Sequence, residues 1–170
     1  MRKRLYVLAA LLTLSLSFIV GTAFSNDAML DVQYTQLTPD AKKQVDCLAD
    51  NIYYEAGYEP EEGKKAVAFV TLNRMQDPRF PKDICSVVKQ KVNSTCQFSW
   101  FCEGRKAISN HFVYLQAREV ALMVYANYEK MYDSTQGSLY YHADYVNPRW
   151  KLQKTATIGR HIFYKEKDGI

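Results

Sequence analysis

The chain has 170 residues, 48% of them hydrophobic and 24% charged, which is the composition of a folded globular protein and excludes a disordered or fibrous one. The formal net charge of +4 includes Arg2, Lys3 and Arg4; without them 19 basic side chains face 18 acidic ones, which leaves +1 and little electrostatic pull toward nucleic acid. No Gly-rich phosphate loop and no internal repeat occur, so nucleotide-dependent enzymes and solenoids are set aside, and the length fits one domain around one core.

Met1–Arg4 is a positive n-region, and Leu5–Val20 is an uncharged, mostly apolar run. Ala23-Phe24-Ser25 offers small residues at the two positions a signal peptidase reads, so residues 1–25 read as a signal peptide cleaved before Asn26. Sixteen residues of helix span about 24 Å, short of a hydrocarbon core of about 30 Å. The uncharged stretch runs on to Asn26, however, so a retained signal anchor is the other reading. Either way the rest of the chain is expected to be exported, to the periplasm or cell envelope. Residues 5–25 could then associate transiently with the membrane. Residues 26–37 are polar and mixed, and read as a linker.

Thr38-Pro39-Asp40 is a helix start, with Thr as N-cap, Pro at the first helical position and an acid in the first turn. Val45, Leu48, Ala49 and Ile52 follow at helical spacing, and the helix is expected to end near Gly57. Pro60-Glu61-Glu62 starts a second helix, with Ala66, Val67, Phe69 and Val70 on its face and Asn73 and Arg74 at its end. Asp77-Pro78-Arg79-Phe80-Pro81 is a rigid connection, and Asp83–Gln90 a short helix. Lys91–Gly104 reads as a loop. Phe112–Tyr132 reads as a long helix with Leu115, Val120, Val124 and Ala126 among its apolar positions. Gly137 marks a turn, and Leu139–His142 and Ile162–Tyr164 have strand character. The reading is α+β, mostly helical, with a small C-terminal sheet.

Four cysteines, Cys47, Cys85, Cys96 and Cys102, all follow the leader. An even number in an exported chain allows two disulfides, in any of three pairings. Cys47–Cys85 with Cys96–Cys102 is favoured, mainly because the second closes a short loop; buried free thiols are the alternative.

Three segments carry residues suited to chemistry. In Ile52-Tyr53-Tyr54-Glu55-Ala56-Gly57-Tyr58-Glu59 a carboxylate stands at the end of an apolar helix among tyrosines. Burial there would raise its pKa and keep a proton available near neutral pH, as a general acid requires. In Cys96-Gln97-Phe98-Ser99-Trp100-Phe101-Cys102, Gln97 and Ser99 can hydrogen-bond a hydroxyl or acetamido group, and Trp100 can stack on a sugar ring. In Tyr140–Trp150, aromatic residues alternate with amide, imidazole and carboxylate groups, an arrangement suited to a carbohydrate cleft; Tyr141, His142, Asn147 and Trp150 are the candidates. Each segment also has a plain structural reading: an exposed helix-end Glu, a disulfide-pinned loop with core aromatics, and a satisfied structural His. His111, His142 and His161 are widely spaced and form no H-E-x-x-H, so no metal or other cofactor is expected.

Taken together, these stretches resemble the SleB/CwlJ family of cell-wall hydrolases. The resemblance rests on Cys47-Leu48-Ala49, Ile52-Tyr53-Tyr54-Glu55-Ala56, Glu59-Pro60, Glu62-Gly63, Asn73-Arg74, Asp77–Pro81, Cys96–Trp100 with Cys102, Tyr141-His142-Ala143, Val146-Asn147-Pro148, Trp150, and Ile158-Gly159 with His161 and Phe163-Tyr164. It runs from about Cys47 to Tyr164. It implies a lysozyme-like or lytic-transglycosylase-like α+β domain over residues 38–170, acting on peptidoglycan glycan strands for wall remodelling or phage lysis; a monomer is expected. It also implies that Glu55 is the catalytic acid. The family usually has Ala-Arg-Gly-Glu where this chain has Ala56-Gly57-Tyr58-Glu59, so the Arg is missing and the Gly displaced by one.

A glycosidase normally uses two carboxyl groups that flank the bond. Glu59 is the nearest by sequence, but Gly57 and Pro60 break the helix between it and any shared face, and it reads as structural, capping the next helix. A lytic transglycosylase needs one acid alone, because the C6 hydroxyl of the substrate is the nucleophile. The rival readings are a zinc-dependent amidase that cuts the peptide stem and a non-catalytic peptidoglycan-binding envelope protein.

Overall fold

The computed structural model describes residues 33–104 and 106–167; the leader, its cleavage site and most of the 26–37 segment lie outside the described residues. The chain divides into two units, Met1–Leu37 and Thr38–Ile170. Within the first, residues 33–36 are helical where a linker is expected. Among the described residues no helix is long and apolar enough to cross a membrane.

The second unit begins where the sequence places it. The Thr38 hydroxyl accepts the Ala41 N–H at 3.2 Å and Pro39 opens helix α1 (Pro39–Ala56). Its apolar stripe, Val45, Leu48, Ala49 and Ile52, is fully buried. Helix α2 (Glu61–Gln76) is buried on nearly every side, from Gly63 to Arg74, which marks it as the central helix. It packs on α1, on the short helix α3 (Ile84–Val88), on α5 (His111–Asn127) and on the sheet. Its residues Ala66 and Val70 meet Phe163, with Tyr141, Ala156 and Ile158 around them. Asp83 caps α3 by accepting the Ser86 N–H at 2.9 Å.

The Lys91–Gly104 segment is more ordered than a loop. Strands β1 (Lys91–Val92) and β2 (Thr95–Cys96) pair as a hairpin. Its turn residues Asn93 and Ser94 have φ of 50° and 65°, the left-handed pair that matches the twist of a two-residue hairpin. Helix α4 (Ser99–Cys102) follows. Asn110 then caps α5 through the Val113 N–H at 3.1 Å. Helix α5 stops at Asn127, followed by a 3₁₀ turn at Tyr128–Lys130, short of the expected Tyr132. Val113, Ala117, Val120, Ala121, Leu122 and Val124 are its buried residues, whereas Leu115 and Ala126 are exposed. The apolar stripe is thus rotated from the one that Leu115 and Ala126 would define.

A three-stranded antiparallel sheet closes the chain, in the order β3 (Tyr140–Ala143), β5 (His161–Lys165), β4 (Gln153–Ile158). Asn73 and Arg74 at the end of α2 hold its entry. The Asn73 amide donates to Asp133 at 2.9 Å and to the Ser138 carbonyl at 3.1 Å, and Arg74 Nε donates to the Leu139 carbonyl at 2.8 Å.

Two disulfides pin the periphery. Cys47–Cys85 joins α1 to α3 across 38 residues, and Cys96–Cys102 joins the hairpin to α4 across six. Loop-closure entropy makes the longer link worth about 4 kcal/mol and the shorter about 2 kcal/mol. Free-thiol titration of unreduced, denatured protein is therefore expected to find no reactive thiol. Paired Cys47→Ala/Cys85→Ala substitution should lower the thermal midpoint more than Cys96→Ala/Cys102→Ala; the reverse order would show that native-state packing outweighs loop length.

Candidate active site

The last turn of α1 delivers Tyr53, Tyr54 and Glu55 to one end of the helical layer. It can lie close to α5 because residue 57 is glycine. A Cβ there would stand 2.5 Å from the Tyr53 carbonyl oxygen and 3.0 Å from Val113 Cγ1. Glu55 opens into a cleft of about 400 Å³ lined also by Tyr54, Ser99, Trp100, Tyr141, His142 and His161. Helix α4 supplies Ser99 and Trp100 on one side of it, and β3 supplies Tyr141 and His142 on the other.

The Tyr141 hydroxyl donates to Glu55 Oε2 at 3.0 Å. Burial pushes the Tyr141 phenol well above its ordinary pKa, so it remains a donor across the neutral range. Burial also pushes the Glu55 carboxyl up from its ordinary value, and the nearby Glu103 carboxylate adds to this; the Tyr141 hydrogen bond and the Arg74 charge pull the other way. The net rise favours the protonated acid.

Arg74 supplies that opposing charge from inside the protein. It is 5% exposed, and its guanidinium lies 5.0 Å from the Phe98 ring centroid, 5.4 Å from that of Phe80 and 6.0 Å from that of Tyr140. Its Nη1 is buried with no hydrogen-bond partner. A buried cation without a paired carboxylate is costly unless aromatic faces and a nearby acid offset it.

Trp100 stacks on Tyr54 with ring centroids 4.6 Å apart. Its indole N–H donates to Asn51 Oδ1 at 3.1 Å, and the fully buried Asn51 donates in turn to Thr71 Oγ1 at 3.1 Å. The aromatic wall is therefore oriented from within the α1–α2 contact. The Tyr54 hydroxyl donates to the Lys106 carbonyl, and the Tyr53 hydroxyl accepts the backbone N–H groups of Ser109 and Asn110.

The structure thus brings Glu55, Ser99, Trp100, Tyr141 and His142 to one cleft. It places Gln97, Asn147 and Trp150 outside that lining. Gln97 joins the hairpin through its backbone N–H to the Gln90 carbonyl. Asn147 Oδ1 accepts the Arg149 N–H at 3.3 Å and shapes a local turn. Trp150 packs edge-on against Tyr140, His142 and Tyr164. His142 has both ring nitrogens engaged, Nδ1 with the Ala143 carbonyl at 2.8 Å and Nε2 with the Tyr164 hydroxyl at 3.0 Å. Because the carbonyl can only accept, Nδ1 carries a proton.

Glu59 is structural in a different way from a helix cap. Pro60 is the N-cap of α2 and makes no side-chain capping bond. Glu59 Oε2 instead accepts the Arg160 N–H at 2.9 Å, tying the end of α1 to the β4–β5 turn. Gly159, at φ +56°, leaves room for this, since a Cβ there would meet Glu59 Oε2 at 1.9 Å.

Sequence reasoning missed Arg74 as part of the site, as well as Asn51, Glu103 and His161. Glu103 lines the cleft beyond the Cys102 link, and His161 packs edge-on to Tyr141 with Nδ1 buried and unpartnered. The one signal for Asn51 in the sequence is an amide next to the apolar Ile52, one helical turn before Glu55.

This arrangement of an α-helical layer and a small antiparallel sheet is similar to that of solved catalytic domains. The structure is similar to the catalytic domain of the Bacillus cereus SleB protein, with a TM-score of 0.56 and 25% identity, over 73% of this chain and 91% of that one. It is similar to the catalytic domain of the germination-specific lytic transglycosylase SleB from Bacillus anthracis, with a TM-score of 0.58 and 25% identity, over 76% of this chain and 98% of that one. The fold is the lysozyme-like α+β fold of those domains. The chain belongs to the cell wall hydrolase family, which matches residues 58–164. Glu55 stands just ahead of that span. The spore cortex-lytic enzyme of Bacillus subtilis (strain 168) is 30% identical over 123 residues, and the match covers 68% of this chain but 35% of that enzyme. The corresponding enzyme of Halalkalibacterium halodurans is 28% identical over 126 residues, 70% of this chain and 34% of that enzyme. The chain thus spans about a third of the length of these relatives.

Two measurements follow from the electrostatics. In a carboxyl-carbon NMR titration, Glu55 is expected to titrate above the ordinary glutamate range. Tyr141→Phe removes a bond to the charged form and should raise its pKa further, whereas Glu103→Gln removes a like charge and should lower it; opposite movements would show that the carboxyl is not held as described. Stability gives the second. A raised folded-state pKa means that the carboxyl stabilises the fold only below its unfolded pKa of about 4.3, and that this contribution is lost as pH rises through the folded value. Above the unfolded value the raised pKa therefore costs stability, because the unfolded chain ionises this carboxyl more readily than the fold does. Glu55→Gln should raise the thermal midpoint at pH 7, with less gain at pH 4; no gain at pH 7 counts against a desolvated acid.

Proposed function

We propose that the protein cleaves peptidoglycan glycan strands as a lytic transglycosylase, between N-acetylmuramic acid and N-acetylglucosamine, with Glu55 as the single acid and base. The observation that carries this is a desolvated carboxyl, hydrogen-bonded by one tyrosine, at the floor of an aromatic-walled cleft. The sugar ring stacks on the Tyr54–Trp100 wall. Glu55 gives its proton to the glycosidic oxygen as that bond breaks. The C6 hydroxyl of the same muramyl residue attacks the anomeric carbon, and its proton passes to the Glu55 carboxylate, which restores the acid. The product carries a 1,6-anhydro end. Tyr141 stabilises the carboxylate in the interval, and Ser99 lies where it can hold a hydroxyl or acetamido group.

A zinc amidase would need protein ligands in a cluster; among the described residues no group of three His, Cys, Asp or Glu side chains is so placed. One observation favours a second glycosidase reading. Glu103 lines the same cleft as Glu55 and acts on its charge, so it, and not Glu59, would be the second carboxylate of a hydrolase. The leader and the two disulfides support action outside the cytoplasm, where oxidising conditions maintain such bonds.

Mass spectrometry of fragments released from purified peptidoglycan tests the proposal. Anhydro-muramyl ends are expected, and reducing ends that vanish in Glu103→Gln would establish the hydrolase instead. Glu55→Gln should cost at least about 10²–10⁴ in rate. Glu59→Gln in folded protein should stay within about tenfold, or about 1.4 kcal/mol of barrier. Abolished turnover in folded Glu59→Gln with activity retained in Glu55→Gln would show that Glu55 is the wrong residue for the acid.

A further inference from the structure

The cleft does not end at the acid. A second concavity of about 320 Å³ shares Tyr54 and Glu55 with it and continues over Gly57, Tyr58 and Glu59. A third, of about 410 Å³, takes up at Gly57–Glu59 and runs between the start of α2 and the part of α5 that carries Phe112 and Gln116. The three concavities adjoin one another in a row, the first two meeting at Tyr54, Glu55 and Lys106 and the last two at Gly57, Tyr58 and Glu59.

Two large rings line its outer reach and stand in water, Tyr58 at 83% exposure and Phe112 at 69%. Neither ring is part of the core. Gln116 contributes an amide to the same lining, and Glu61 a carboxylate that is paired with Lys65. Aromatic faces interspersed with hydrogen-bonding groups complement a pyranose, which has an apolar C–H face and a polar rim of hydroxyl and acetamido groups. A linear polymer bound with one linkage at Glu55 has to continue somewhere, and this row of concavities begins at that point.

We propose that Tyr58 and Phe112 form distal saccharide subsites, which hold the glycan strand several sugars away from the bond cut at Glu55. The inference rests on the reading of Glu55 as a glycan-cleaving acid and adds to it a dependence on strand length. The occupant is the sugar backbone of the strand, not its peptide stems.

The test compares peptide-free glycan tetrasaccharide and octasaccharide as substrates for wild type, Tyr58→Ala/Phe112→Ala, and Tyr132→Ala as a control that removes an exposed ring elsewhere. Wild type and Tyr132→Ala are expected to show about tenfold higher kcat/KM on the octasaccharide. The double variant should lose that gain and keep its tetrasaccharide rate. Unchanged thermal midpoints confirm that the exposed substitutions leave the fold intact. A full length gain in the double variant overturns the proposal. A gain that appears only with fragments bearing peptide stems also overturns it, because the concavities would then hold the stem. Wild type that cuts neither length marks a failure of the Glu55 reading itself, distinct from the first two outcomes, and the proposal falls with it.

Discussion

The buried guanidinium of Arg74 is the constraint on which the rest of the site depends. Its Nε fixes the Leu139 carbonyl and so the start of β3, two residues before Tyr141. Its positive charge also acts on Glu55 and Tyr141 from below the cleft. One side chain at the end of the central helix thus helps to place the hydrogen-bond partner of the acid and opposes the rise that burial gives its pKa. The aromatic faces of Phe80, Phe98 and Tyr140 make that burial tolerable without a carboxylate to neutralise the charge. A paired carboxylate would have removed the very field that acts on Glu55.

The remaining elements supply walls around this centre. Helix α1 ends where it does because Gly57 lets it meet α5, and its last turn carries the acid. The Asn51–Thr71 contact sits one turn earlier and turns Trp100 toward Tyr54. Glu59 then ties the same helix end to the turn of the β4–β5 hairpin. The two layers that flank the cleft are therefore joined on both sides of Glu55, by Tyr141 directly and by Glu59 through Arg160.

Much of the helical layer was legible in the residues. Thr38-Pro39-Asp40 marks the start of α1 by capping chemistry that is local and so visible in sequence, and the stripe Val45–Ile52 marks its buried face. Glu55 stands out in the sequence through the family resemblance, because a helix-end carboxylate beside tyrosines also has a plain structural reading; the structure adds its hydrogen bond from Tyr141 and its place in the cleft. Strand β4 was not, since Gln153-Lys154-Thr155-Ala156-Thr157-Ile158 is mostly polar, lies at a sheet edge and is interrupted by a bulge. Arg74 was recorded only as the end of α2, where a basic residue ordinarily faces water and the helix dipole. Its burial is created by Phe80, Phe98 and Tyr140, which lie six to sixty-six positions away in the chain. Glu103 was hidden for the same reason: nothing local shows that the short link Cys96–Cys102 turns it toward the acid.

That link has a consequence for when the protein is whole. Trp100 sits inside the loop closed by Cys96 and Cys102, and it forms one face of the cleft. In a chain whose thiols are still reduced, the hairpin and α4 are not covalently joined, and the aromatic face rests on the Asn51 contact and local packing alone. Completion of the cleft is thereby coupled to oxidation. The seven residues from Cys96 to Cys102 thus make the aromatic face of the cleft answer to the redox state of its surroundings.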